Sequence, residues 1–529
     1  MTMMLRRVPQ YLCQVHRIQV PLRLRSTAHA DAEYAAEPAD KPADWDLAKP
    51  YSAIPGPKSN RFVGSLMSFL PTGAFFKVKI EDVLDTVAAH GPVAKMTGIW
   101  GRPDVILLSD PKEIEIALRS EGAWPIRAGA DSLLYYFKNR RKGLPMSLVS
   151  SQGKEWQEFR TAVNQVMLQP RNIKQYVEPI DRVTQEIIDR MRRIREQNSL
   201  MPANFSDELA KWALEFVCAA ITLVALDTKL GCISDNPNPD GAKMVEYAHT
   251  VFDSVYKLDV LPSPWKYVST PTYRRFTKAM DGITEISSKY VKATMERLKN
   301  VPKTELKDRS YSVLETLLVK TEDPDRAVAM ALDMILGGID ATSTAVATVL
   351  YQLAINPEKQ KILQEELDRV IPDKSIPITK EQLEELKFMR ACIKETMRVM
   401  PITIGNSRTS VKDLVLGGYQ IPAGTMLNTP NYNLGKNEKY FPRANEFLPE
   451  RWLSGATDLK CKNPFAYLPF GFGPRMCVGR RFADLEIETI VAKIFRNFNL
   501  EWNNPPAALK MQVVLVFADP LRFKVTDRA

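Results

Sequence analysis

Along most of the chain, apolar residues recur every three or four positions, the period of a helix with one buried face. This pattern predicts helices over 172–196, 207–226, 242–257, 272–299, 312–320, 326–354, 357–370, 380–399 and 480–498. Alternation with period two is scarcer, and strands are expected only over 105–108, 411–419, 421–426, 513–517 and 521–525. Helix 326–354 stands apart. From Ala327 to Ala341 it is apolar on every face apart from Asp333 and Asp340, so it has no solvent side and must pass through the core. That stretch falls short of the ~20 apolar residues of a membrane span. Gly337 and Gly338 interrupt it at roughly 1 kcal/mol each relative to alanine, which implies that something approaches the backbone there.

Breaks rich in proline or asparagine lie at 234–241, 261–264 and 503–506, but none divides the chain into parts of distinct composition. A length of 529 residues allows three or four domains at ~150 residues each. The continuous helical pattern favours one instead, a single mainly α domain with small β-sheets over residues 59–529. Before it, residues 31–58 are rich in Ala, Asp, Glu and Pro and read as a linker ending in the stiff Pro55-Gly56-Pro57 turn. Residues 1–30 carry Arg6, Arg7, Arg17, Arg23 and Arg25, no acid, and a Ser/Thr/Ala-rich end. That is the composition of a mitochondrial transit peptide. The same arginines break any apolar run long enough for a secretory signal or a transmembrane anchor.

Charge and composition exclude more than they assign. Once those five arginines are set aside, the net charge of +10 falls to 67 basic against 62 acidic side chains. An excess so small and dispersed does not argue for nucleic acid. Four histidines, at 16, 29, 90 and 249, stand in no zinc-ligand spacing, and no G-x-S-x-G accompanies them for a hydrolase. The six cysteines are scattered and form no C-x-x-C pair.

Chemistry concentrates in Phe470-Gly-Phe-Gly-Pro-Arg-Met-Cys-Val-Gly479, a Gly-rich loop that delivers one cysteine to the start of the last long helix. Backbone N–H groups and the positive end of that helix favour the thiolate of Cys477. Gly471, Gly473 and Gly479 let the backbone lie flat beside a large planar ligand. Arg475 can offer a forked cation to a carboxylate on it. The stretch resembles the haem-binding signature F-x-x-G-x-R-x-C-x-G of the cytochrome P-450 superfamily, the haem-thiolate monooxygenases. Phe470, Gly473, Arg475, Cys477 and Gly479 hold its fixed positions. Glu395-Thr-Met-Arg398 resembles the family's E-x-x-R, which puts both charges on one helix face. Pro449-Glu450-Arg451-Trp452 resembles its P-E-R-aromatic motif, and the likeness extends over roughly residues 50–529.

The resemblance implies the cytochrome P-450 fold, haem b (iron protoporphyrin IX) as cofactor, and Cys477 as the axial ligand of its iron. It further implies a buried Glu395–Arg398–Arg451 triad supporting that side of the haem. Trp156 and Arg160, in a W-x-x-x-R pattern, would contact the haem propionates together with Arg408 and Arg475. Gly337-Gly-Ile-Asp-Ala-Thr-Ser343 resembles the oxygen-activating motif, but Ala341 stands where the first threonine would be. Thr342 points ~100° further round the helix. Asp340 is therefore the expected centre of the proton relay, with Thr342 the remaining hydroxyl. Gly337, Ala341, Thr403 and Ile404 would lie near the substrate.

The reaction so implied is RH + O2 + 2e− + 2H+ → ROH + H2O, on a small lipophilic substrate that is a xenobiotic or a steroid. No strand-associated G-x-G-x-x-G offers a flavin or nicotinamide site, so electrons are expected from outside. With a mitochondrial address the expected donor is an acidic ferredoxin served by an NADPH-dependent reductase. It would dock on Arg390 and Lys394, which share a helix face at i,i+4. The enzyme would sit on the matrix side of the inner membrane, in peripheral contact with it. Two other functions stay open: a haem-thiolate isomerase or dehydratase without external electrons, and a haem-binding sensor or carrier without turnover.

Overall fold

The computed structural model describes residues 41–528, except 61–62, 100–101, 128, 142–143, 169–175, 223–229, 300–314, 316–317 and 319–322. The expected transit peptide, and most of the helix expected over 312–320, lie outside the described residues. The first helices are α1 (Ile80–Ala88), α2 (Pro111–Arg119), α3 (Asp131–Asn139), α4 (Gly153–Met167), α5 (Val177–Ile194), α6 (Phe205–Thr222) and α7 (Pro239–Val255). A π-helical turn at Tyr256–Val260 extends α7. Then follow α8 (Pro271–Lys299), α9 (Pro324–Ala354), α10 (Pro357–Val370), α11 (Lys380–Glu385), α12 (Lys387–Val399), α13 (Asn431–Gly435) and α14 (Arg480–Asn497). Strands β1 (Val93–Met96), β2 (Val105–Leu108), β3 (Asn406–Thr409) and β6 (Met426–Thr429) form one sheet in the order β1-β2-β6-β3, parallel only between β2 and β6. Three two-stranded pairs complete the β-structure: β4 (Leu414–Leu416) with β5 (Tyr419–Ile421), β7 (Phe498–Glu501) with β10 (Lys524–Asp527), and β8 (Leu509–Met511) with β9 (Leu515–Phe517).

The long periodic segments are helices close to their expected ends, and three differences have physical causes. The helix expected over 380–399 is two, broken at Leu386. Glu366 on α10 accepts from the amides of Phe388 at 2.8 Å and Met389 at 2.9 Å, and so supplies the break with a cap for α12. The strand expected over 411–419 turns back on itself at Gly417-Gly418, whose φ values of 58° and 77° are those of a tight two-residue hairpin. Residues 41–58, expected as a linker, lie against that hairpin: Gln420 donates from its backbone N to Lys49 O and from Nε2 to Trp45 O. Helices α1 to α3, of nine residues each, are too short to announce themselves by period.

α9 organises the core. Asp323 caps it, accepting from the amides of Asp325 and Arg326, with Pro324 at the first helical position. Val328, Leu332, Ile335 and Ile339 of its first half join Val251, Phe276, Met280 and Ile283 in one apolar cluster. Val346, Val349, Leu350 and Leu353 of its second half join Ile187, Leu367, Met389 and Phe495 in another. The helix is long and apolar enough to cross a membrane, but 72% of its most apolar stretch is buried inside the protein, the environment of a core helix. Residues 337–341 lie where the two clusters meet.

Candidate active site

Between Ala327 and Ala354 the accessible positions of α9 are Asp333, Met334, Gly337, Gly338 and Ala341, and every other residue is buried. Spacings of three and four place these five on one stripe. A helix with no outer face thus lines an internal space. A Cβ added to the exposed Gly337 would meet nothing within 4 Å, whereas at Gly338 it would overlap Val217 Cγ2 of α6. The two glycines answer different needs. Gly338 admits a neighbouring helix, as the sequence implied, and Gly337 keeps the space open.

Cys477 and Arg127 lie close to the Asp333 end of the stripe. Both keep accessible surface although protein surrounds them, and the Arg127 charge acts on both Cys477 and Asp333. The cysteine loop is closed by Cys477 N donating to Phe470 O at 2.9 Å and Met476 N to Gly473 O at 3.1 Å. Gly471 and Gly473 stand at φ of 74° and 71°, so the loop needs them first for its left-handed backbone. Burial pushes the Cys477 thiol up, against the Gly479 N–H and the charges of Arg160 and Arg127. The loop N–H thus acts in the expected direction, toward the thiolate, and desolvation acts against it.

Four arginines converge here: Arg127, Arg160, Arg408 and Arg475. Among the described residues two acids answer them, Asp333 through the charge of Arg127 and Glu121 through a direct pair. Glu121 pairs with Arg408 Nε at 2.5 Å, and both side chains are buried. Arg475 donates to Pro125 O and Ser151 O, each at 2.9 Å, and to Gln152 Oε1. Its guanidinium lies 4.0 Å from the ring centre of Trp156, which is itself buried. Burial and then the charges of Arg127, Arg408 and Arg160 push Arg475 down to about 9. Arg160 is buried, and its Nε has no protein partner among the described residues. Packing so much positive charge around one cavity is unfavourable unless an anion enters it.

The triad is held by a dense set of hydrogen bonds. Glu395 accepts from Arg398 Nη2 at 2.7 Å, Arg451 Nε at 3.0 Å and Leu448 N at 2.8 Å on one oxygen. Its other oxygen accepts from Arg398 Nε and Trp452 Nε1, each at 2.9 Å. Arg398 donates further to the carbonyls of Gly435, Ala444 and Glu446, and Arg451 to those of Pro442, Arg443 and Leu459. All three side chains are fully buried. Two guanidinium groups thereby tie α12 to the irregular segment from Gly435 to Leu459.

The remaining expected residues divide. Asp340 is 4% exposed, with Oδ1 3.0 Å from His249 Nε2 and Oδ2 without a partner among the described residues. Thr342 is buried, and its hydroxyl meets Glu486 on α14 rather than the stripe. Ala341, Thr403 and Ile404 are partly accessible. Arg390 and Lys394 share a face of α12, but Arg390 makes a two-pronged pair with Glu488, at 2.8 and 2.9 Å, while Lys394 is exposed. Arg127, Glu121, His249 and Glu486 were missed from sequence. His249 alone carried a signal, as a rare histidine beside the apolar face of an expected helix.

The sequence matches the Cytochrome P450 family over residues 55–525. "Probable cytochrome P450 12a5, mitochondrial" of Drosophila melanogaster is 37% identical over 502 residues, 92% of each chain. "Cytochrome P450 CYP12A2" of Musca domestica is 38% identical over 508 residues, again 92% of each. "Probable cytochrome P450 12c1, mitochondrial" of Drosophila melanogaster is 37% identical over 527 residues, 97% of this chain and 98% of the relative. With the cysteine loop, the buried triad and the lined cavity in place, the chain belongs to the cytochrome P450 family, whose cofactor is haem b.

Proposed function

We propose that the chain is a monooxygenase that inserts one atom of O2 into a small lipophilic molecule, a xenobiotic or a steroid, with electrons from a mitochondrial ferredoxin and its NADPH-dependent reductase. One observation carries the reading: an internal space lined by the α9 stripe, close to one cysteine and to four arginines that outnumber the two described acids near them, Glu121 and Asp333. Haem b suits that cavity, with an apolar plane for the stripe, two carboxylates for the unanswered cations and an iron for Cys477. Arg160 and Arg127 have charge to spare for the propionates. Arg475 and Trp156 stiffen one wall, and Arg408 contributes what Glu121 leaves. Phe470, Gly473 and Gly479 shape the loop that presents Cys477. When bound, haem supplies the activation of O2 that oxidation of a C–H bond requires. The protein's own part is to hold this frame through Glu395, Arg398 and Arg451, to seat substrate along Gly337, Ala341, Thr403 and Ile404, and to keep a proton at Asp340.

Cys477→Ser should abolish the red-shifted band of the reduced CO complex, and retention of that band would refute the reading. Product formation with ferredoxin, reductase and NADPH separates the monooxygenase from an isomerase and from a carrier.

The relatives named mitochondrial support residues 1–30 as a transit peptide, ahead of a 31–58 segment and a catalytic domain over 59–529. Exposed Met67, Leu70 and Phe76, with Val260, Tyr267 and Val268, support peripheral contact with the inner membrane on the matrix side. For ferredoxin, the pairing of Arg390 with Glu488 leaves Lys394 as the freer cation. Lys394→Glu should raise the apparent KM for ferredoxin several-fold, more at low salt, and leave substrate-binding spectra unchanged. An unaltered ferredoxin titration would place the docking surface elsewhere.

A further inference from the structure

We infer that His249 is the solvent-side member of the proton path to Asp340, and that its imidazolium both positions that carboxylate and recharges it. The inference rests on the reading of Asp340 as the proton-holding group and deepens it. Three facts isolate Asp340 along α9. Ala341 has no hydroxyl, Thr342 is turned to Glu486, and Asp333 is held by Ser147 and the amides of Leu148 and Val149. The Oδ1 of Asp340 has His249 Nε2 at 3.0 Å, and its Oδ2 is buried without a partner among the described residues. A buried carboxylate held by one group takes both its orientation and its charge balance from that group.

His249 is suited to both duties. It lies on α7, beside the buried face formed by Met244, Val245, Ala248 and Val251. Its side chain keeps 42% of its surface accessible while Asp340 keeps 5%. One end of the ring therefore meets the carboxylate and the rest meets accessible space. The charged groups that face it are Asp340 from α9 and Asp207 from α6, and α8, also packed on α7, presents none among the described residues. Burial opposes the imidazolium, but the hydrogen bond and charge of Asp340, with the charge of Asp207, outweigh it and raise His249 above its ordinary 6.5.

The step is a proton transfer without a change of oxidation state. The Nε2–H bond of the imidazolium breaks and an O–H bond forms at Asp340, which leaves both groups neutral. Once Asp340 has passed its proton on, the accessible imidazole regains one from water. A lysine or arginine in this place would position the carboxylate without titrating near neutrality, so the histidine makes the path sensitive to pH.

The test uses full-length holoenzyme labelled with 15N-histidine, as the diamagnetic reduced CO complex, through a pH titration. The resonance missing from His249→Gln identifies His249. Its midpoint should lie above 6.5 and fall in Asp340→Asn. In turnover, His249→Gln should lower product formed per NADPH about tenfold, release peroxide instead, and lose the pH dependence across neutrality. His249→Lys should restore part of the coupling but not the pH dependence. A His249 midpoint at or below 6.5 that ignores Asp340→Asn would overturn the pair. A His249→Gln enzyme with the parent coupling and pH profile would overturn the relay. An Asp340→Asn enzyme that stays coupled rejects the role of Asp340 itself, and the relay with it, even where NMR shows the pair to be real.

Discussion

The triad and the 337–342 stretch of α9 are both deep in the protein, and they treat polar atoms in opposite ways. Every oxygen of Glu395 is occupied by donors from α12 and the 435–459 segment, and each guanidinium gives further N–H groups to carbonyls. Asp340, at similar depth, has one oxygen with one partner and another with none described. The triad also sits among tightly packed neighbours, while Gly337 faces open space. A saturated ion network holds a frame, because no member can move without stranding a charge. A carboxylate with spare capacity beside a cavity can still accept and release a proton.

The largest expected effect breaks the frame. Glu395→Ala strands two buried guanidinium groups at ~3–5 kcal/mol, enough to prevent accumulation of holoprotein. Asp340→Asn keeps a hydrogen-bonding partner for His249 and should cost less than about 1 kcal/mol. Thermal unfolding with haem content per chain checks both. Equal losses in the two variants would dissolve the contrast, and normal holoprotein from Glu395→Ala would remove the triad from the frame.

A smaller effect divides the two adjacent glycines. Gly338→Ala pushes its methyl into Val217, a stiff β-branched neighbour, and should destabilise by about 1–3 kcal/mol. Val217→Ala should relieve much of that loss. Gly337→Ala has room, gains about 1 kcal/mol of helix propensity, and should alter instead the spectral response to ligands that enter the cavity. Melting curves of the two single variants and of the Gly338/Val217 double variant distinguish close packing from open space. A Gly337→Ala protein less stable than Gly338→Ala would reverse the assignment.

What was legible in the sequence follows the same division. E-x-x-R and the cysteine loop are local: a helix turn or a few loop residues fix which side chains meet, and the family resemblance then gave Glu395, Arg398 and Cys477 their roles. Arg451 lies 56 positions from Glu395 and was reachable only through the family's motif. The pairs Arg408–Glu121, His249–Asp340, Arg390–Glu488 and Thr342–Glu486 join separate elements, and no spacing encodes them. The Gly417-Gly418 hairpin was written in the sequence, but the apolar alternation around it looked like one long strand. Long helices declared themselves by period, and nine-residue helices could not.

The finest test turns on Thr342 and its partner. Glu486 is buried on α14, and burial pushes its carboxyl up from 4.5 to about 8, with the Thr342 hydroxyl acting in the opposite direction. An acid whose folded value is raised contributes stability that is complete below the unfolded value. That contribution is lost as pH rises through the folded one, here between about 4.5 and about 8. Glu486→Gln should therefore flatten the fall of melting temperature across that window and leave coupling untouched. Thr342→Ala removes the hydroxyl that favours the ionised form and should raise the Glu486 value further, again without releasing peroxide in turnover. Both outcomes place Thr342 with the frame and Asp340 with the chemistry. Should Thr342→Ala uncouple oxygen use as severely as Asp340→Asn, the hydroxyl has turned toward the stripe in the working enzyme. The boundary between frame and chemistry would then pass through Glu486 instead.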